Sequence, residues 1–175
     1  MMRLTVLGLA ALGAVSTAAQ AVELPTRKAG LWELKMLRTG TSTPEVTMQH
    51  CTDEATDKQM TASFSPMSRQ NCSKNDTTQT STGYVTDSVC SFGGATLISH
   101  SEITGDFNVG YAMKVTSSSD KPVAAGVPAE STVMLEAKWL GACAADQRPG
   151  DIVMPGGFRM NIKDMEKLKG LLPKQ

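Results

Sequence analysis

Phe107-Asn108-Val109-Gly110-Tyr111-Ala112-Met113-Lys114-Val115-Thr116 sets Phe107, Val109, Tyr111, Met113 and Val115 against Asn108, Gly110, Ala112, Lys114 and Thr116. Successive side chains of a strand point to opposite faces, so this period of two puts five apolar residues on one side. The same alternation runs on both sides of it. Val133, Leu135, Ala137 and Trp139 alternate with Thr132, Glu136 and Lys138; Trp32, Leu34 and Met36 alternate with Glu33 and Lys35; Val46 and Met48 alternate with Glu45, Thr47 and Gln49. One face toward a core and one toward water is the habit of antiparallel sheets.

Turn signals separate the runs. Gly105-Asp106 reads as a two-residue hairpin between 95–104 and 107–116. Thr39-Gly40-Thr41-Ser42 links the first two strands, Gly93-Gly94 breaks the chain after Cys90, and Thr82-Gly83 precedes a strand over 84–90. The polar stretch 73–81 is only weakly patterned. Two short helices are expected. Thr52 is placed to cap 53–60, with Asp53 and Glu54 complementing the helix dipole, and Asn161 to cap a turn or two that Gly170 stops. Residues 117–131 form a long loop without periodicity, a length usual for a functional or disordered segment. From Arg148 the chain is rich in Pro and Gly and reads as a tail laid over the domain.

These patterns predict an all-β fold: an antiparallel meander of about six to eight strands, strongly curved or closed into a small barrel. A β-sandwich is the alternative. Three segments are expected: 1–21, a cleaved signal peptide; 22–147, a disulfide-stapled β domain; and 148–175, the C-terminal tail with its short helix. The leader is argued from Arg3, the apolar run 4–15 and the cleavage sequence Ala19-Gln20-Ala21. That run is too short for a membrane span, which needs roughly 20 residues. The expected mature start is Val22, and the expected compartment is the periplasm.

The chain holds 17 basic and 17 acidic residues, a net charge of zero. So even a balance gives no electrostatic footprint for nucleic acid. No second apolar run is long enough to span a membrane. The four cysteines, Cys51, Cys72, Cys90 and Cys143, follow the leader; an even number in an exported chain reads as disulfides. Zinc would need close Cys or His pairs, and only His50-Cys51 places two ligand types together. Cys72 and Cys90 are equidistant from Ser81, beside the Thr82-Gly83 turn, so a hairpin centred there sets them opposite each other. Cys51 and Cys143 are then left to pair, tying the start of the sheet to its end.

Several of these residues together resemble a known family. Arg27-Lys28-Ala29-Gly30-Leu31-Trp32-Glu33 opens the domain, Cys51-Thr52 follows the second strand, and Trp139-Leu140-Gly141-Ala142-Cys143 closes the sheet, with Pro149-Gly150-Asp151 in the tail. With Cys72 and Cys90 between them, this order resembles the exported bacterial proteins grouped as domain of unknown function 3617, from about Arg27 to about Met165. The resemblance implies a Gram-negative periplasmic protein. It carries over no catalytic or binding residues.

Chemistry is sparse. His50 and His100 are the only histidines, there is no G-x-S-x-G, and the cysteines are taken up in bridges. His100, in Ile98-Ser99-His100-Ser101-Glu102, reads as a solvent-facing strand residue within reach of a strand carboxylate. Met48 and His50 share a strand face, the one hint of a soft-metal site. Trp32 and Trp139 fall on inward faces, near opposite ends of the sheet. With Tyr111 and Met113 they are the candidate lining of an apolar ligand cavity. The expectation is therefore a non-enzymatic binding or envelope-maintenance protein without a cofactor, its partner an apolar small molecule or an envelope protein. An apolar-ligand carrier, a metal-binding protein and an uncharacterised enzyme are the alternatives.

Overall fold

A computed structural model of the chain describes residues 22–39, 44–122 and 128–165, and the helix side chains of 62–70 are not described. The leader 1–21, the first linker 40–43, the centre of the predicted loop at 123–127 and the end of the tail from 166 lie outside these residues. Nine strands form one antiparallel sheet, open but curled. They are β1 (Gly30–Thr39), β2 (Val46–Thr52), β3 (Cys72–Gln79), β4 (Gly83–Phe92), β5 (Ala95–Asp106), β6 (Gly110–Ser119), β7 (Glu130–Gly141), β8 (Asp151–Val153) and β9 (Arg159–Asn161). The single long helix among the described residues, α1 (Glu54–Asn71), joins β2 to β3. The order across the sheet is β3-β4-β5-β6-β7-β1-β2-β8-β9. The expected meander thus runs from β3 to β7, and β1 docks on the far side of β7. The sheet is neither a closed barrel nor a sandwich.

Register explains the two faces. Trp32 pairs with Trp139, Leu34 with Ala137 and Met36 with Leu135 between β1 and β7. Tyr111 and Met113 continue these rows on β6, and Ile103 and Tyr84 continue the Met113 row on β5 and β4. This is the inner face. On the outer face Glu33 stands opposite Lys138, Lys35 opposite Glu136 and Glu102 opposite Lys114. Cross-strand pairs of opposite charge fix that register with solvated groups.

α1 accounts for the curl. Laid flat, the end of β2 and the start of β3 would be separated by six strand spacings, roughly 29 Å, and by about a dozen residues along the strands, roughly 40 Å. A helix of 18 residues reaches about 27 Å. It bridges the two points diagonally only because the sheet rolls up beneath it. A disulfide stands beside each end: Cys51–Cys143 just before α1, with Cα atoms 5.4 Å apart, and Cys72–Cys90 just after it, at 3.8 Å.

Several expectations need correction. The β5–β6 connection is 107–109 rather than Gly105-Asp106. Asp106 pairs with Gly110, and the Asn108 N–H donates to the Asp106 carboxylate at 2.8 Å. Gly105 remains in the strand at φ +118°, where a Cβ would sit 2.8 Å from the Tyr111 Cα. Phe107 and Val109 thus lie in the turn, and Val109 is exposed. The helix cap is Asp53, not Thr52: its carboxylate accepts from the Thr56 N–H at 2.7 Å, and the Thr56 hydroxyl accepts from the Asp53 N–H at 2.9 Å. The helix also runs on to Asn71, past the expected Met60. The loop expected at 117–131 is shorter, because Ser117 and Ser118 pair with Ser131 and Glu130.

The tail from 148 is not laid over the domain. β8 pairs with β2 and β9 with β8, and Asp151, Asn161 and Ile162 are buried. Asn161 caps the helical residues 162–165 by accepting from the Lys163 N–H at 3.0 Å. Finally, the hairpin that carries Cys72 and Cys90 is not centred on Ser81. Gln79 pairs with Tyr84 and Lys74 with Val89, one step off that symmetry, and a bulge at Ser73 restores Cys72 to a position opposite Cys90.

Candidate functional site

The opening Arg27-Lys28-Ala29-Gly30-Leu31-Trp32 folds into a lock at the foot of the sheet. The Arg27 guanidinium donates to the Asp57 carboxylate of α1 through Nε at 2.7 Å, and the Arg27 N–H holds the other oxygen at 2.8 Å. Its Nη2 lies 2.6 Å from the same carboxylate and donates to Nδ1 of His50, on β2, at 3.0 Å. All three side chains are buried: Arg27 is 8% exposed, Asp57 5% and His50 2%. A planar fork with several donors suits a buried carboxylate better than an ammonium does.

The remaining residues of the lock close around two tryptophans. Trp32 is fully buried and its Nε1 donates to the Lys28 carbonyl at 2.8 Å. Trp139 stands directly opposite it on β7, so the two are neighbours and not at opposite ends of the sheet. Its Nε1 donates to the Ala29 carbonyl at 3.1 Å, and the Lys28 ammonium sits 3.5 Å from its ring centre. Gly30, at φ +132°, allows this approach, since a Cβ there would meet the Gly141 carbonyl.

Electrostatics follow from burial. Because Arg27 can only donate, Nδ1 of His50 is the acceptor, and the ring proton is on Nε2. That Nε2 is buried and without a hydrogen-bond partner among the described residues. Burial, then the adjacent Arg27 charge, push the His50 pKa down to about 4, against a smaller opposing pull from Asp57. His50 is therefore a neutral ring at pH 7. Burial likewise raises the Tyr111 phenol.

An aromatic row leads away from the lock. Trp32 meets Tyr111 at 5.9 Å, Tyr111 stacks on Phe107 at 4.8 Å, and Phe107 meets Tyr84 edge-on at 6.2 Å. Among the four residues expected to line a cavity, Trp32 and Tyr111 are thus in contact. Met113 lies farther along the inner face, between Ile103 and Leu135. Trp32, Ile103 and Ala137 are buried, but Leu34, Tyr84, Phe107, Tyr111, Met113 and Leu135 are only half-buried. The inner face is apolar and incompletely covered.

The other histidine is on the outer face. Nδ1 of His100 lies 2.8 Å from the Asp87 carboxylate across the β4–β5 pair, which raises its pKa, and its Nε2 faces Glu102 at 3.6 Å. A carboxylate stands where a triad would need a hydroxyl, so this pair is no nucleophile's base. Two open grooves lie elsewhere. One of about 440 Å³ runs past Ile98, His100, Thr116 and Thr132, and one of about 460 Å³ past Asp146, Arg148, Arg159 and Asp164. In the second, Arg159 is bound to Asp146 at 2.7 Å and Arg148 lies 3.4 Å from Asp164, so both arginines already face carboxylates. Met48 and His50 do share the inner face, but among the described residues no group of three His, Cys, Asp or Glu side chains gathers to hold a metal ion. No helix among them is long and apolar enough to cross a membrane.

The lock was not legible in advance: Asp57 is 30 residues from Arg27, and His50 is 23. The one signal was the density of unusual residues in the opening segment. A family described as "Protein of unknown function (DUF3617)" matches over residues 27–143, from Arg27 of the lock to Cys143 of the long disulfide. No curated protein and no solved structure matches.

Proposed function

The chain belongs to the DUF3617 family, and from that premise we propose that it is an exported, non-enzymatic binding protein of the periplasm that holds an apolar ligand against the inner face of its curled sheet. One observation carries the reading: six large apolar side chains of that face, Leu34, Tyr84, Phe107, Tyr111, Met113 and Leu135, remain half-buried beneath a helix anchored near its ends. A face that is finished as a core would be covered, and incompletely covered apolar area of this kind favours a ligand or partner. The two disulfides support the exported setting, since bridges persist in oxidising compartments. The Arg27 guanidinium beside this face is committed to the Asp57 carboxylate and to Nδ1 of His50, which favours holding over reacting.

The test is binding of a fluorescent long-chain fatty-acid analogue to the oxidised protein. Saturable emission is expected, weakened about tenfold or more by Met113→Asp, which puts a charge on the inner face. Thermal melting of the variant separates lost binding from lost folding. A wild-type protein that leaves the probe unbound at any concentration contradicts the proposal.

A further inference from the structure

β3 forms one border of the sheet and pairs with β4 alone among the described residues. Ser73, Lys74, Asn75 and Asp76 along it are exposed. The Thr80 N–H donates to the Gly83 carbonyl at 2.8 Å. Ladder bonds alternate from that point, so Asp76 and Thr78 bond toward β4, while Asn75 and Thr77 turn their backbone N–H and C=O outward. An unpaired row of such groups is a template for another strand. The opposite border, β9, has only three residues and runs directly into the helical residues 162–165.

Charged side chains are common on a border strand, but one of those on β3 is unfavourably placed. Asp76 stands directly opposite Asp87, a like-charge pair that is unfavourable across strands. His100 serves Asp87 at 2.8 Å, whereas Asp76 has Lys74 of its own strand at 3.9 Å. We infer that this edge recognises a second copy of the same chain, β3 against β3, antiparallel about a twofold axis at Asn75.

The geometry selects that register. A twofold axis normal to the sheet keeps each face on its own side, so only every second register is allowed. Centred on Asn75, the strands set Lys74 against the partner's Asp76 twice. The two Asn75 residues then exchange both outward backbone bonds, and Thr77 faces the partner's Ser73. Centred on Lys74, the next allowed register sets lysine against lysine; centred on Asp76, it sets aspartate against aspartate. The border is thus guarded against the two adjacent slipped pairings and open to its own copy in the register centred on Asn75. A ladder this short, with no apolar centre, makes a weak dimer that forms as concentration rises.

Sedimentation velocity of the oxidised protein over a rising concentration series tests this directly. The expected result is a monomer–dimer equilibrium, weakened at least about tenfold in Lys74→Asp alone and in Asp76→Lys alone, because each places like charges at both contacts. Mixing the two variants should restore a heterodimer, since both contacts then set an acidic side chain of one chain against a lysine of the other; this also shows that both fold. A protein that stays monomeric throughout overturns the inference, and so does a dimer indifferent to both substitutions or one that mixing fails to restore.

Discussion

Arg27 stabilises the fold through what it neutralises. Its partner Asp57 is buried, and a buried carboxylate without its counter-ion carries a desolvation penalty of several kcal/mol. Arg27→Met should therefore destabilise the protein by about 3–5 kcal/mol in urea unfolding, and Arg27→Lys by less, since an ammonium keeps the charge but loses the fork. A loss under about 1 kcal/mol for Arg27→Met would show that the pair is dispensable. His50 gives the lock a pH dependence of known sign. Its pKa is about 4 when folded and 6.5 unfolded, so between those values the unfolded chain binds the proton and the folded one resists it. The contribution is complete above pH 6.5 and is lost as pH falls toward 4, at most on the order of 3 kcal/mol. His50→Gln, which does not titrate, should flatten the difference in stability between pH 7 and pH 4.5 relative to wild type. An unchanged difference would place the titration elsewhere. None of this was readable from spacing: His50 looked like half of a soft-metal pair with Met48, because the sequence does not show that Arg27 occupies Nδ1.

The strands were legible where one face meets water and the other a core. Trp32 to Met36, Tyr111 to Val115 and Val133 to Trp139 alternate because each face has a single environment, and the structure pairs them in one sheet. β3 carried almost no pattern, since both its faces are largely exposed and its register is held by Cys72–Cys90 and the Ser73 bulge. The far half of α1 was illegible for a different reason. Ser63, Ser65, Pro66 and Ser68 are poor helix formers, so local propensity gives no signal for that half. The disulfides beside the ends of α1 should matter in proportion to the loops they close. Chain-entropy estimates give about 3 kcal/mol for the bridge spanning 18 residues and roughly 4 to 5 for the one spanning 92. Cys51→Ala/Cys143→Ala should thus lower the melting temperature more than Cys72→Ala/Cys90→Ala, and the reverse order would show that native strain or residual structure outweighs loop length. The tail's place in the sheet was illegible because three-residue strands show no visible alternation. The Gly150 N–H donates to the Cys51 carbonyl and the Ile162 N–H to the Gly150 carbonyl, so both amides should exchange hydrogen as slowly as those of β2. Rapid exchange at both would detach the tail from the sheet.

Across the chain, topology explains what composition left open between barrel, curved sheet and sandwich. A strand order that separates β2 from β3 by the whole meander, joined by one helix too short for a flat sheet, forces a curl without closing it. The same arrangement leaves the inner face apolar and only partly covered, and this links the fold to the proposed binding of an apolar ligand. Native mass spectrometry of the protein isolated from its own cells examines that link most directly. The expected spectrum shows a chain beginning at Val22 with both disulfides closed, carrying an added mass that is released on unfolding and extracts into organic solvent. A spectrum containing only the bare polypeptide, in protein purified without detergent or organic solvent, would contradict the inner face as a ligand site.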